Sequence, residues 1–169
     1  MEALDRPRLE ELYRRLERPL FNTVFRWLWN RHDASEVVQE TFVRLWGMRE
    51  RVDLDRVTPL AYRIAVNLAA NHRRHRRLWG WISLETLDER AAPADNPGAS
   101  VETREREDAV RQAVEALPER LRRVVMLCEV GGLSYAEVAA TLGIPEGTVA
   151  SRRNHALRRL REALGEEEP

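Results

Sequence analysis

LPERLRRVVMLCEVGGLSYAEVAATLGIPEGTVASRRNHALRRLREAL, residues 117–164, decides the fold of this chain. Its centre predicts two short helices joined by a tight turn. Ser134 and Glu137 have the spacing of a capping box, and Gly143 follows the apolar Val138, Ala139 and Leu142. Ala139 is small where a second helix crosses, Gly143 suits the positive φ of the turn, and Ile144 and Val149 form the apolar clamp. The second helix starts near Pro145 and carries Ser151, Arg152, Arg153, Asn154, His155, Arg158, Arg159 and Arg161. These groups reach phosphates and base edges. An Arg-rich amphipathic helix alone is usually a solvated face, but a capped helix, a Gly turn and a basic second helix in this order favour DNA binding.

Upstream of this unit, a helix is expected from about Glu105 through Ala109, Val110, Ala113, Val114 and Leu117, stopping at Pro118. It restarts through Leu121, Val124, Val125 and Leu127 and ends at Gly131-Gly132. Residues 80–108, with Pro93, Pro97 and Gly98 among Ala, Asp, Glu and Ser, bury too little to offset ordering and are expected to form a flexible acidic linker.

Three helices are expected before the linker. The first, over residues 8–30, buries Leu9, Leu12, Leu16, Leu20, Val24 and Leu28, with Phe21, Phe25 and Trp29 alongside; Pro19 predicts a bend or two segments packed end to end. The second starts at Asp33, a cap whose box Glu36 closes, and runs to about Arg49. Its buried stripe is Val37, Val38, Thr41, Phe42, Leu45 and Trp46, which leaves Glu36, Gln39, Glu40 and Val43 outside. Residues 47–58 lack an apolar period and read as a loop ending at Thr58-Pro59. The third helix, 59–78, buries Leu60, Ala61, Ile64, Ala65, Leu68 and His72 and exposes Arg63, Asn67, Asn71, Arg73, Arg74, Arg76 and Arg77, a basic, amide-rich stripe able to line nucleic acid.

The chain of 169 residues is therefore expected to be all-α: an N-terminal helical domain (1–79), the linker (80–108) and a C-terminal helix-turn-helix domain (109–169). Its formal charge of zero conceals segregation, because residues 1–79 hold 16 Arg and 11 acids whereas 80–108 hold 3 and 8. A neutral total does not exclude a nucleic-acid partner. The lone Cys128 in an apolar run reads as a small buried hydrophobe, and four scattered His offer no zinc spacing, so no metal or other cofactor is expected. No apolar run approaches membrane-spanning length and no signal-peptide core stands at the N-terminus, which predicts a cytoplasmic location without membrane insertion.

Nearly the whole chain resembles a bacterial sigma factor of the extracytoplasmic-function group, in the sigma-70 family. DASEVVQETFVRLW at 33–46 is similar to the family's polymerase-binding helix. AYRIAVNLAANHRR at 61–74 is similar to its helix for reading and opening the upstream edge of the melted promoter, and residues 117–153 to its last domain. The resemblance implies a protein that is not an enzyme, whose partners are core RNA polymerase and promoter DNA, with room for an anti-sigma protein. It implies that Glu36, Gln39 and Glu40 meet the clamp helices of the largest polymerase subunit. Asn67 would contact a base of the minus-ten element, with Arg63, Asn71, Arg73, Arg74 and Arg77 beside it, and the 47–58 loop would hold a flipped-out base. Thr148, Ser151, Arg152, Arg153, His155, Arg158 and Arg159 would serve the minus-thirty-five element; Arg153 stands where relatives usually carry an apolar residue. The alternative is a stand-alone helix-turn-helix regulator with an N-terminal sensing or dimerising domain. It accounts for residues 117–164 equally well but leaves the exposed stripe of Asn67, Asn71 and neighbouring Arg unexplained.

Overall fold

A computed structural model of the chain describes residues 4–80 and 101–165. Among them there are helices and short connections but no strand, and they fall into two compact units, one on each side of residues 81–100. The linker reading lies mostly outside the described residues, but its last part, 101–108, is helical.

The first unit packs three helices, α1 (Arg6–Leu28), α2 (Arg31–Gly47) and α3 (Val57–Gly80). Asp5 caps α1 by accepting from the Arg8 amide at 3.0 Å, and Pro7 suits the first turn. Leu12, Leu16, Leu20, Val24 and Leu28 are buried along one stripe, as the period predicts. α1 runs through Pro19 as one helix, so separate end-to-end segments do not form. Proline in a helix interior costs about 3 kcal/mol, and burial of Leu16, Leu20 and Val24 on either side of Pro19 offsets it. The helix ends at Trp29, held in the left-handed region at φ 54° with its amide donating to Phe25 O.

This reversal moves the start of α2. Its cap is Asn30, whose side chain accepts from the Asp33 amide at 2.9 Å, and not Asp33 as the sequence suggested. Asp33 lies inside the first turn and its carboxylate accepts from Arg76 on α3 at 3.1 Å. Val37, Val38, Thr41, Phe42 and Leu45 are buried, but Trp46 is 38% exposed, with Arg49 4.8 Å above its ring. The 47–58 loop is pinned by buried Val52 and Val57 and by the Leu4 amide, which donates to Arg49 O; a short 3₁₀ turn, Leu54–Arg56, precedes α3.

On α3 the buried stripe is Ala61, Tyr62, Ala65, Val66, Ala69 and Ala70, whereas Leu60, Ile64, Leu68 and His72 are only half-buried. The expected face is thus rotated. Alanine at 61, 65 and 69 lets the backbone approach its neighbours closely, and the larger Leu60, Ile64 and Leu68 take the flank.

The second unit contains α4 (Val101–Ala116), α5 (Glu119–Val125), α6 (Tyr135–Leu142) and α7 (Glu146–Leu164). α4 starts four residues before the expected Glu105, and α5 continues into a wide π turn, Met126–Val130. Arg122 is 6% exposed and spends its guanidinium on the end of α4: Nε donates to Val114 O (2.9 Å), and Nη2 to Glu115 O (2.6 Å) and Leu117 O (2.7 Å). It supplies donors and positive charge at the carbonyl end of α4.

Candidate nucleic-acid and partner surfaces

The helix-turn-helix forms as its local chemistry predicts. Ser134 Oγ accepts from the Glu137 amide (3.3 Å), while Glu137 Oε2 accepts from the Ser134 amide (2.8 Å) and hydroxyl (2.7 Å). These bonds hold the Glu137 carboxyl below its ordinary range. Gly143 turns the chain at φ 67°, donating to Ala139 O at 2.8 Å, and α7 follows from Pro145. Val138 and Val149 are fully buried between the two helices, while Ile144 is half-buried.

α7 then divides its polar residues between two sides. Arg152, His155 and Arg158, spaced at about one turn, line a depression of about 390 Å³ together with Ser151 and with Arg120 and Leu121 of α5. The Ser151 hydroxyl donates to Thr148 O within α7, Thr148 is half-buried, and Arg159 is exposed outside this depression. Arg153 turns the other way: its Nε donates to Glu129 at 2.6 Å and Nη1 to the Tyr135 hydroxyl at 3.4 Å. The bond to Glu129 raises the Arg153 pKa further, so the guanidinium stays charged. Arg153 therefore ties α7 to the π turn and to α6, although its residue type placed it among the DNA contacts. Arg120 joins the basic cluster without having been singled out; its signal is the exposed position one residue before buried Leu121.

In the first unit Arg63, Asn67, Asn71 and Arg74 are exposed at spacings of four, four and three, which sets them on one face of α3. Arg73 is half-buried and leaves this face, and the Arg77 side chain lies outside the described residues. On α2 the exposed stripe is Glu36, Gln39, Glu40 and Val43. Glu40 accepts from Arg44 Nε at 2.8 Å and Glu36 lies 3.3 Å from His32 Nε2. Val43, 64% exposed, and Trp46 extend this stripe into an apolar depression shared with Leu9 and Phe42. No helix among the described residues is long and apolar enough to cross a membrane.

Two helical units, one presenting a basic helix-turn-helix and the other a basic, amide-rich helix, carry the polar surfaces typical of the nucleic-acid-binding class of proteins. Comparison with known proteins narrows this class. The family described as Sigma-70 region 2 matches residues 12–78, and Sigma-70, region 4 matches 107–160. The chain is 33% identical over 163 residues to the ECF RNA polymerase sigma factor SigE of Mycolicibacterium smegmatis, covering 94% of this chain and 62% of that protein's length. It is 36% identical over 142 residues to the ECF RNA polymerase sigma-E factor of Escherichia coli strain K12, covering 78% of this chain and 72% of the relative. Among solved structures, that of CnrH in complex with the cytosolic domain of CnrY has the same fold (TM-score 0.73, 23% identity, 97% of this chain and 92% of that one). So has the sigma factor RpoE of Bartonella quintana in complex with the anti-sigma factor NepR (TM-score 0.71, 21% identity, 94% and 99%). The chain belongs to the sigma-70 family, in its extracytoplasmic-function group of sigma factors. Such factors direct RNA polymerase to promoters and are not themselves enzymes.

Proposed function

We propose that this chain brings core RNA polymerase to promoters through three separate faces. α7 enters the major groove of the minus-thirty-five element, the Asn67 face of α3 and the 47–58 loop act at the minus-ten element, and the outer stripe of α2 docks on the polymerase clamp. The observation that carries this reading is the segregation of polar surface. Glu36, Gln39 and Glu40 leave the core on one helix, while Arg63, Asn67, Asn71 and Arg74 leave it on another. Neither stripe packs the unit's interior, and both face outward. Exposed Val43 and Trp46 add apolar area to the docking stripe, which a face serving only solubility does not need. An anti-sigma protein as a further partner is supported by the likeness to RpoE, whose structure holds NepR. Reconstituting the chain with core polymerase and mapping transcript starts tests the whole reading. Start sites sharing two spaced elements are expected; binding of duplex DNA without any core-dependent transcript would instead identify a stand-alone regulator.

Arg152 of α7 and Arg120 of α5 are assigned different tasks. Arg152→Ala should cost about 1–3 kcal/mol and relax preference at one base pair, as loss of a bidentate base contact does. Arg120→Ala should weaken binding evenly across sequences and lower the salt slope by about 1, the signature of a lost phosphate contact. Affinities measured over a promoter library at several salt concentrations decide this, and an even loss for Arg152→Ala would remove it from base reading.

Asn67 is expected to read a base exposed by melting. Asn67→Ala should slow opening of duplex promoters and weaken preference at one minus-ten position, and a premelted template should restore opening but not the preference. Wild-type preference on the premelted template would leave Asn67 a solvated helix residue.

A further inference from the structure

Asp33 and Glu36 in the first turns of α2 and His72 on α3 bring one donor atom each to within 4.8 Å of one another. Asp33 is largely shielded, with 16% of its side chain exposed. The Nδ1 atom of His72 is buried, makes no hydrogen bond, and lies 3.8 Å from Asp33 Oδ2. A buried ring nitrogen without a hydrogen bond is costly unless something else meets it, and an ion is one such thing. Tetrahedral zinc, with bonds of about 2.0–2.1 Å, sets neighbouring donors about 3.4 Å apart, so the His72–Asp33 pair needs to close by only about 0.4 Å. Glu36 is exposed enough to swing in.

We propose that Asp33, Glu36 and His72 bind a divalent transition-metal ion of the zinc class, straps linking α2 to α3 being its structural effect. One imidazole and two carboxylates form a borderline donor set, which suits zinc or cobalt better than calcium or magnesium, whose shells are all oxygen. Water completes the coordination. His32 Nε2, 3.3 Å from Glu36 Oε1, is placed to orient that carboxylate from outside. Arg76 is the competitor: its Nη1 lies 3.1 Å from Asp33 Oδ2 and already supplies positive charge there. Metal entry displaces this guanidinium, so binding the ion and releasing Arg76 are one event. On the function proposed above, that event would couple the polymerase-facing helix to the basic end of the DNA-facing one; the site itself does not depend on that function.

Titration calorimetry of the full chain with zinc chloride, in a Cys128→Ser background that removes the competing thiol, tests the site directly. Cobalt absorption in the visible range reports the coordination geometry. One ion per chain is expected, with a tetrahedral cobalt spectrum. His72→Ala and Glu36→Gln should each weaken binding by about tenfold or more. Arg76→Ala should tighten it, which nonspecific binding to surface carboxylates would not do. The exposed Glu36 position keeps the test valid if His72→Ala fails to fold, as checked by its melting temperature. Absence of binding in both the parent and Arg76→Ala, or an unchanged affinity in Glu36→Gln and folded His72→Ala, overturns the proposal.

Discussion

Replacing Arg122 by Met is expected to destabilise the C-terminal unit by about 3 kcal/mol while leaving the N-terminal unit untouched. The substitution keeps the aliphatic bulk but removes the donors that meet Val114 O, Glu115 O and Leu117 O. These carbonyls lie at the end of α4, where the helix supplies few donors of its own, although Val114 O also accepts from the Leu117 amide at 3.2 Å; withdrawing three charge-assisted bonds from a buried helix end costs more than one hydrogen bond contributes on average. Arg122→Lys should recover only part of the loss, because an ammonium at the end of a flexible stem cannot hold the planar fork that reaches successive carbonyls. The two units offer separate probes. Trp27, Trp29 and Trp46 lie in the first unit and residues 101–165 contain no tryptophan, so tryptophan fluorescence does not follow the second unit. Amide exchange over 101–165 follows the second, where 3 kcal/mol corresponds to about a hundredfold faster exchange at amides protected by unfolding of the unit. Exchange as slow in Arg122→Met as in the parent would show that water replaces the guanidinium at little cost.

Arg122 also marks the limit of what the sequence makes legible. The helix-turn-helix can be read directly because its determinants are local: the Ser134–Glu137 box closes over three residues, and the Gly143 turn bonds back to Ala139. The α1 stripe is legible because a 3.6-residue period is a property of one segment. Arginines carry no such period. Arg122 draws no reading from the sequence and Arg153 is placed among the DNA contacts, and only packing gives one of them a helix end to cap and the other a carboxylate 24 residues earlier in the chain. The start of α2 was misplaced at Asp33 for a related reason. Asn30–Asp33 and Asp33–Glu36 have the same spacing, and the choice between them is made by the left-handed turn at Trp29 and by Arg76, which draws the Asp33 carboxylate into a contact across 43 residues. The Asp33, Glu36 and His72 group is invisible to spacing rules for the same reason, since its members meet only when α2 packs on α3. At 101–108 the error had the opposite origin. Composition indicated a linker, but Glu and Arg are good helix formers, and charge pairs such as Arg111–Glu115 (3.3 Å) support a helix that buries little of its first two turns.

Reversing Glu40 to Lys is expected to weaken core-polymerase binding by about 2–5 kcal/mol, roughly thirtyfold to a few thousandfold in Kd. Among the described residues Glu40 pairs with Arg44, its neighbour one turn along, and the two side chains remain 46% and 53% exposed. Such a pair contributes about 0.2–0.5 kcal/mol to a helix, and the like-charge pair that replaces it costs a similar amount. The fold therefore survives the change. On a clamp surface the arithmetic differs, because Glu40 would be desolvated beside Gln39 and Val43, and reversing its charge would place two cations together out of water. Core affinity measured beside the melting temperature of the free variant separates these effects. Glu40→Gln provides the intermediate point: it removes the charge without introducing repulsion, so it should lie between parent and Glu40→Lys in affinity and match the parent in melting temperature. If Glu40→Lys binds core as tightly as the parent, the outer stripe of α2 is not the docking surface, and Val43 and Trp46 must owe their exposure to some other partner.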